Sequence, residues 1–357
     1  MRPLLLPSFN RSILLLALSL ALLGGCAPAP DAGDAAAGDA SSEARRFLSV
    51  GTAPAGGAFF VVGGALAEVA SQVRDSWQVT GEATKGSREN IRRLAAGDLD
   101  FALSNAAITY FAVRGEAGWE QAYAMRSVMT LAPNIALFVA PASANVNTIA
   151  DLRGKRVVIG PAGAGFEMFV QPILEAHGLS YDDMTVLNNT QSGAVDMLAD
   201  GNADAAFLGG AVPTASITQA AASMALTYVP FDPAARQQLI DRYPFFHPAT
   251  VPAGTYRGLD ADFDALNVGS MHLITAEGTD EALVYDFTRA IYENASAVVQ
   301  RHPAGKAINA RNAPRDVGTP LHPGAQRFFD ELAAADAAAA TGAGDAPAAT
   351  EAAAEAP

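Results

Sequence analysis

The sequence predicts an α/β protein with two similar lobes, each a mostly parallel sheet flanked by helices, and a ligand cleft between the lobes. Predicted strands and helices alternate along most of the chain, which is typical of parallel sheets. The phrase LAAGDLDFAL at Leu94–Leu103 returns in altered form as LADGNADAAF at Leu198–Phe207. Two glycine-rich loops, Gly51–Gly57 and Pro161–Gly165, each lead from a predicted strand into a predicted helix. A scaffold used twice, with one such loop per copy, indicates two lobes around one site.

The repeated phrase has a simple structural interpretation. In each copy a helical pattern stops at a glycine, and an aspartate then precedes a short apolar run. Glycine just past a helix adopts left-handed conformations without a Cβ penalty. The apolar run is long enough for a buried strand and too short for a helix. Coincidence in a chain rich in Ala, Leu and Gly is the alternative, and the sequence leaves it open.

The elements of the first lobe are predicted within residues 46–138. Its main helix follows the first glycine-rich loop and carries apolar residues at three- and four-residue spacing from Phe59 to Val73. The other predicted elements are the strands Phe47–Val50, Trp77–Thr80 and Leu99–Leu103, the helix Ser87–Ala96 and the strand Ile135–Ala140.

The second lobe is predicted within residues 139–240 and repeats this order. Its elements are the strand Arg156–Gly160, a helix with apolar residues from Phe166 to Leu174, the strand Thr185–Leu187, the helix Ser192–Ala199 and the strand Asp204–Leu208. Residues 241–332 are predicted to return to the first lobe, with a strand at Val268–Thr275 and a helix at Glu281–Gln300. Two crossings between the lobes would form a hinge.

The two ends of the chain predict export and a tether. Residues 1–25 combine two arginines, an apolar stretch and no acidic residue, as in a secretory signal. They end at Gly25-Cys26, which matches a bacterial lipoprotein cleavage box with Cys26 as the lipidated residue. Residues 26–45 lack large apolar side chains, so we expect a flexible tether, and a disordered tail at 333–357. The predicted location is extracytoplasmic, lipid-anchored to a membrane.

The charge balance excludes one class of partner. The formal net charge is −14, whereas nucleic-acid binding needs clustered Lys and Arg. A negative chain still accommodates an anionic ligand, because one local site can oppose the net field. We therefore expect no nucleic-acid partner and leave a small anion open.

The glycine-rich loops are the strongest candidates for ligand contact. Glycine lets the backbone approach a ligand, and the free N–H groups of a helix's first turn favour anions. The alternative for each loop is a tight turn without a ligand. Lys85, Ser87 and Arg88 begin a further helix, where Ser87 could act only as a cap and Arg88 as a solvated surface charge.

Polar and small residues also follow the strand of each repeated phrase. Ser104 and Asn105 stand after the first copy, and Gly209 and Gly210 after the second. The ends of parallel strands present ligand-contacting residues. The histidines show no metal spacing, and there is no nucleotide fingerprint or Gly-x-Ser-x-Gly elbow. We expect no enzyme activity, metal or cofactor.

In several motifs the chain resembles the solute receptors of TAXI-type TRAP transporters, which have the type II periplasmic-binding-protein fold. The resemblance spans roughly Phe47–Asp330. The matching segments are Gly51-Thr52, Gly63–Glu68, Gly86–Asn90, Gly97–Asp100, Asp151–Val157, Tyr243–Phe246, Val251–Tyr256 and Leu321–Ala325. It implies a receptor that captures a small organic anion of amino-acid or carboxylate type by hinge closure and delivers it to membrane subunits driven by an ion gradient.

The resemblance also implies a set of ligand-binding residues. They are Thr52, Gly57, Ala58, Phe59, Ser87, Ser104, Asn105, Gly163, Ala164, Gly165, Phe166, Gly209 and Tyr256. Ala58 and Ala164 stand where such receptors usually have hydroxyl side chains, and Phe166 replaces a threonine. Because each neutral hydrogen bond contributes about 1 kcal/mol net, these departures predict a more apolar ligand. A lipid-anchored sensor signalling to a membrane kinase is the alternative function.

Overall fold

The computed structural model describes residues 45–55 and 57–342. The β-strands are β1 Arg46–Gly51, β2 Trp77–Glu82, β3 Phe101–Asn105, β4 Met125–Thr130, β5 Ile135–Pro141, β6 Arg156–Gly160, β7 Thr185–Asn188, β8 Ala205–Gly210, β9 Leu226–Val229, β10 Phe246–Val251, β11 Phe263–Val268 and β12 Met271–Ala276. The α-helices are α1 Ala58–Val73, α2 Ser87–Ala96, α3 Ala106–Ala112, α4 Glu167–Ala176, α5 Gln191–Ala199, α6 Ala215–Ser223, α7 Pro233–Arg242, α8 Glu281–Glu293, α9 Ala295–Arg301 and α10 Pro323–Gly342.

The strands form two sheets, as the predicted two-lobed α/β fold requires. One sheet has five strands in the order β2-β1-β3-β12-β4, and the other has seven, in the order β10-β11-β5-β8-β6-β7 with β9 beside β5. We call the five-stranded sheet with α1–α3 and α8–α10 lobe I, and the seven-stranded sheet with α4–α7 lobe II. Each sheet has three parallel strands, and the strands beyond them pair antiparallel. The lobe II sheet is therefore mostly antiparallel, which differs from the mostly parallel sheet that was predicted, because β5, β9 and the hairpin β10–β11 extend it.

The repeated phrase belongs to a repeated structural unit. In lobe I the unit β1-α1-β2-α2-β3 forms the parallel order β2-β1-β3, and in lobe II β6-α4-β7-α5-β8 forms the same order, β7-β6-β8. Asp100 Oδ2 accepts the backbone N–H of Ser49 at 2.8 Å, and Asp204 Oδ2 accepts that of Arg156 at 2.8 Å. Each strand-leading aspartate therefore anchors the start of the neighbouring parallel strand.

This shared bond sets the correspondence between the two copies. Asp100 and Asp204 are 104 residues apart, so Asn105 corresponds to Gly209 and Ser104 to Leu208. We predicted that Gly209-Gly210 would match Ser104-Asn105, which is wrong by one residue. The predicted match therefore paired residues whose side chains lie on opposite faces of their sheets, because successive residues of a strand point to opposite sides of a sheet.

The chain crosses between the sheets at residues 131–134 and 269–270. The crossings are hydrogen-bonded to each other, with Met271 N–H donating to Ala132 O at 2.9 Å and Val268 N–H to Asn134 O at 2.9 Å. The predicted boundaries at 138/139 and 240/241 differ from these points, because β5 and the hairpin β10–β11 pair in the larger sheet.

The predicted strand Val268–Thr275 is in fact two strands in different sheets. Gly269 interrupts it with φ +108°, where a Cβ would lie 2.4 Å from Asn105 Oδ1. The pattern concealed the break because the apolar residues on both sides are buried. The predicted helix 281–300 is likewise divided at Asn294, whose Nδ2 donates to Ala290 O at 2.9 Å. Such side-chain competition with backbone bonds interrupts helices.

Helix α10 ends at Gly342 and so includes the first ten residues, 333–342, of the predicted tail. Residues 333–339 are exposed in this alanine-rich segment, and alanine has the highest helix propensity. The predicted signal peptide, Cys26 and all of the tether but residue 45 lie outside the described residues, as does the tail beyond 342.

Three apolar clusters form the core. One fills lobe I between its sheet and helices α1 and α8, and another covers one face of the lobe II sheet. The third is shared by the lobes: Ile108 and Phe111 of α3 lie in one cluster with Phe169, Phe207 and Phe245 from lobe II. The lobes are therefore in contact beside the cleft.

Candidate ligand-binding site

A cavity of about 120 Å³ lies between the lobes. Its walls come from the two glycine-rich loops, the first turns of α2 and α5, and the ends of β3 and β8. The lining residues are Ala53, Pro54, Ala55, Gly57, Ala58, Phe59, Lys85, Gly86, Ser87, Asn105, Ile108, Asn134, Ala136, Pro161, Ala164, Phe166, Phe169, Thr190, Gln191, Ser192, Phe207, Gly209 and Gly210.

Two helices of lobe I begin at the cavity with glycine caps. Gly57 precedes α1 and Gly86 precedes α2, and neither cap position supplies a side-chain hydrogen bond. The first N–H groups of a helix have no partner within the helix. Together with the helix dipole, such groups attract anions. Gly57 and Gly86 thus place no capping side chain at these two helix N-termini.

Three side chains add polar contacts that a ligand could use. Asn105 N–H donates to Ser87 Oγ at 3.0 Å, which orients this hydroxyl and leaves its hydrogen to be donated. Lys85 is exposed, and its ammonium forms no ion pair with another described residue. The half-buried Asn134 amide also lines the cavity. No aspartate or glutamate is among the described lining residues, so the polar end favours negative charge.

Three aromatic rings of lobe II form another part of the cavity lining. The rings of Phe166 and Phe169 have centroids 5.2 Å apart, and those of Phe169 and Phe207 are 5.8 Å apart. Phe166 lies against Gly160, where a Cβ would approach the ring to 2.7 Å at φ +145°. The glycine before the second loop therefore makes room for a phenyl group, which gives the cavity an apolar wall.

Two amide side chains in the lining hold the backbone rather than a ligand. Asn105 Nδ2 donates to Gly269 O at 2.8 Å and to Val268 O at 3.2 Å, and its Oδ1 accepts from Ala107 N–H. Gln191 Nε2 donates to Gly209 O at 2.7 Å, and Gly209 N–H donates back to Oε1 at 3.2 Å. These bonds tie the cavity wall to the crossing segment and to β8.

Most of the predicted ligand-binding residues line this cavity. They are Gly57, Ala58, Phe59, Ser87, Asn105, Ala164, Phe166 and Gly209. Ala164 lies opposite Gly86 across the cleft, where a Cβ on Gly86 would be 3.7 Å from the Ala164 methyl. Arg88, expected to be a solvated charge, instead pairs with Glu167 of lobe II.

Five predicted residues do not line the cavity. Thr52 is buried, and its Oγ1 donates to Glu82 O at 2.7 Å, joining β1 to β2. Ser104 is fully buried behind the cavity wall, where its Oγ accepts the Thr109 hydroxyl at 2.7 Å. Both hydroxyl groups are satisfied within lobe I and stabilise the wall from behind.

The other three predicted residues that do not line the cavity belong to lobe II and support its side of the cavity wall. Tyr256 is buried, and its hydroxyl accepts Thr214 N–H at 2.8 Å just before α6. Gly163 and Gly165 have φ values of +74° and +96°, which shape the loop so that Ala164 and Phe166 reach the cavity. A Cβ on Gly165 would lie 2.9 Å from Ile108 Cδ1. Their contribution is backbone conformation.

Several lining residues were not predicted from the sequence. Asn134 stands at a crossing between the lobes, and Thr190, Gln191 and Ser192 begin α5. A helix start beside the second predicted lobe was a usable signal for the α5 residues. Asn134 carried no signal, because only the crossing of the chain brings it to the cavity.

Two classes of site are not found in the described residues. They contain no group of three or more His, Cys, Asp or Glu side chains arranged to hold a metal ion. Residues 45–55 and 57–342 also contain no helix that is long and apolar enough to cross a bilayer.

Comparison with known proteins identifies the family. The profile of the NMT1-like family matches residues 50–332, which is most of the chain. The chain belongs to the NMT1-like family. The match includes both crossings and every residue that lines the cavity.

Three solved structures illustrate the similarity of the fold. A periplasmic transporter is 13% identical, with 84% of this chain and 96% of that chain covered and a TM-score of 0.48. The alkanesulfonate-binding protein SsuA from Xanthomonas axonopodis pv. citri, bound to MOPS, is 15% identical over 83% and 93% of the two chains, with a TM-score of 0.41. The aliphatic sulphonate binding protein SsuA from Escherichia coli is 11% identical over 84% and 94%, with a TM-score of 0.39. At these values the similarity does not identify a ligand.

Proposed function

We propose that this NMT1-like protein is an extracytoplasmic solute-binding receptor. It captures a small organic anion in the cavity between the lobes and delivers it to the membrane subunits of a TAXI-type TRAP transporter. One observation carries the proposal: uncapped N-termini of α1 and α2 and the exposed Lys85 meet at a cavity without a carboxylate in its described lining.

The cavity favours a monoanion with an apolar body. An anionic group fits the lobe I wall, where Ser87 can donate and the helix N-termini are open. The remainder of the molecule would contact Phe166, Phe169 and Phe207. A second carboxylate packed against these three rings would lose its hydration without a compensating partner, which is costly. Aromatic or branched carboxylates therefore fit better than dicarboxylates.

Capture would use closure about the two crossings. Asn105 and Asn134 both line the cavity and both bond to the segment at 267–269. A ligand that touches both lobes has a higher affinity for the closed arrangement, and this difference in affinity drives closure. The transporter would then recognise the closed receptor.

Titration calorimetry on the purified protein tests the ligand class. We expect phenylacetate or 4-methylpentanoate to bind more tightly than succinate or glutamate. Ser87→Ala should weaken binding about five- to tenfold, because it removes one hydrogen bond to a charged group. Lys85→Gln should also weaken it, whereas Lys306→Gln, an exposed lysine outside the cavity, should not.

The outcomes separate the receptor role from the ligand class. Tight succinate binding that Ser87→Ala weakens would keep the receptor role and overturn the apolar class. If native mass spectrometry finds no co-purified small anion and the panel does not bind, the receptor proposal is wrong. Uptake of the bound compound by cells with and without the receptor distinguishes transport from sensing.

We also propose that Cys26 carries a lipid that anchors the receptor. The supporting observation is the Gly25-Cys26 cleavage box after an export signal. Metabolic labelling with a fatty-acid analogue should mark the wild type and not Cys26→Ser, which should be released from the membrane fraction. Equal labelling of both would contradict the anchor.

A further inference from the structure

Among the described residues, a single ion pair links the lobes across the cleft. Eleven Arg–carboxylate contacts occur among the described residues, and ten of them join residues of the same lobe. The exception joins Arg88 of α2 to Glu167 of α4, with Nη1 and Oε1 2.9 Å apart. This contact depends on the spacing of the two lobes in a way that the other ten do not.

The pair stands at the rim of the cavity. Ser87, which precedes Arg88, lines the lobe I wall, and Phe166, which precedes Glu167, lines the lobe II wall. Neither charged residue lines the cavity itself. A change in the spacing of the two walls must therefore stretch or break this ion pair.

Arg88 is fixed in place before it meets Glu167. Its guanidinium carbon lies 5.1 Å from the centre of the Trp119 ring, and Nη2 donates to Gly118 O at 2.6 Å. The Arg88 side chain is 17% exposed and that of Glu167 is 41% exposed. Surface pairs contribute little when two mobile side chains must be ordered. Here most of the ordering of Arg88 occurs within lobe I.

Each partner has another polar group nearby in its own lobe. Glu120, which pairs with Arg92, has its pKa lowered by its own backbone N–H, then by Arg92, with a smaller contribution from the Arg88 charge. The Tyr181 hydroxyl is buried without a partner, and its pKa is raised by burial and then by the Glu167 charge.

We propose that Arg88 and Glu167 are positioning residues that latch the two walls of the cavity at their closed spacing. The pair holds the closed form without touching the ligand. The latch acts in the ligand-free protein, so it can be tested whether or not the proposed ligand class is right.

The matched variants are Glu167→Gln and Glu120→Gln in the full chain. Each removes a carboxylate from an arginine stacked on Trp119, since Arg92 lies 5.5 Å from the same ring. The Trp77→Phe background leaves Trp119 as the one tryptophan. Without ligand, Glu167→Gln should raise the ratio of open to closed protein by up to about fivefold. The radius of gyration from X-ray scattering and acrylamide quenching of Trp119 should both increase, and Glu120→Gln should leave the radius unchanged.

A double-mutant cycle decides whether the two residues act as a pair. Arg88→Gln should increase the radius as Glu167→Gln does, and the double variant should increase it no further. High salt should open the wild type and have little effect on Glu167→Gln. Unchanged radii in both single variants, or additive effects in the double variant, would overturn the latch. Circular dichroism melts exclude unfolding as the cause of any increase.

Discussion

Asn105 and Gly209 occupy the same place in the two copies of one structural unit. In each copy a side-chain amide bonds to the backbone near this place, but the amide comes from a different residue. Asn105 ends β3 and binds the crossing segment with its own amide. Gly209 has no room for a side chain, because a Cβ would lie 2.7 Å from the Ala136 Cα, and Gln191 supplies the amide instead. The scaffold is repeated, whereas the chemistry at its end depends on which strand packs beside it.

The residues that precede Asn105 and Gly209 differ in polarity. Ser104 stands opposite His272 in the lobe I sheet, and the corresponding Leu208 stands opposite Leu137 in lobe II. His272 is fully buried, and its Nε2 lies 2.8 Å from Thr109 Oγ1. Lobe I therefore contains a titratable polar cluster where lobe II has an apolar pair.

The largest expected effect comes from adding a side chain at Gly209. Gly209→Ala places a methyl group against the backbone of β5, and overpacking of this kind costs about 3 kcal/mol. Gly64→Ala is the control, since that helical position has open space and alanine favours helix. Urea unfolding should show a large loss for the first and none for the second. Equal stability of the two variants would mean that β8 can shift away from β5.

The next effect is expected at Asn105. Asn105→Ala leaves two buried carbonyl groups and the Ala107 N–H without partners, which should cost about 2 kcal/mol in the free energy of unfolding. Asn134→Ala, half-buried at the same cavity, should cost under about 0.5 kcal/mol. If both variants unfold at the same urea concentration, Asn105 does not anchor the crossing.

The polar cluster of lobe I should make stability depend on pH. Burial lowers the pKa of His272 to about 3, so the unfolded chain binds a proton below pH 6.5 that the folded chain does not. Its contribution to stability is therefore present above pH 6.5 and declines as the pH falls, by about 1 kcal/mol between pH 6.5 and 5.5. His272→Gln should reduce this slope in pH-dependent urea unfolding. If the dependence of the free energy of unfolding on pH is the same in His272→Gln, then other titratable groups cause it.

The smallest expected losses of stability come from the two strand-leading aspartates, and they should be similar in the two lobes. Asp100→Asn and Asp204→Asn each remove the charge from a hydrogen bond to the neighbouring strand, and each should cost about 0.5–1 kcal/mol. Asp204 also pairs with the Arg156 guanidinium, but exposed pairs add little. Thermal melts showing a much larger loss for Asp204→Asn would mean that the ion pair, and not the backbone bond, distinguishes lobe II.

Local patterns predicted the elements of the repeated unit well. Helix Ser87–Ala96 and strand Arg156–Gly160 have the bounds expected for them, and Gly97 and Gly201 adopt φ values of +78° and +70° after their helices. These features depend on neighbours in sequence. The prediction failed at Gly269, where one apolar run enters two sheets, and at Ser104, whose hydroxyl faces the interior of lobe I.

The sequence by itself determined the two α/β units, their glycine-rich loops and the aspartate that starts the last strand of each. Turn geometry, helix ends and apolar periodicity are local properties of the chain. Only the tertiary structure decided which residues border the cavity. Asn134 reaches it through a crossing, and Arg88 meets Glu167 across 79 residues of chain. The direction of a side chain follows from the register and packing of its strand or helix, and those are set by partners distant in sequence.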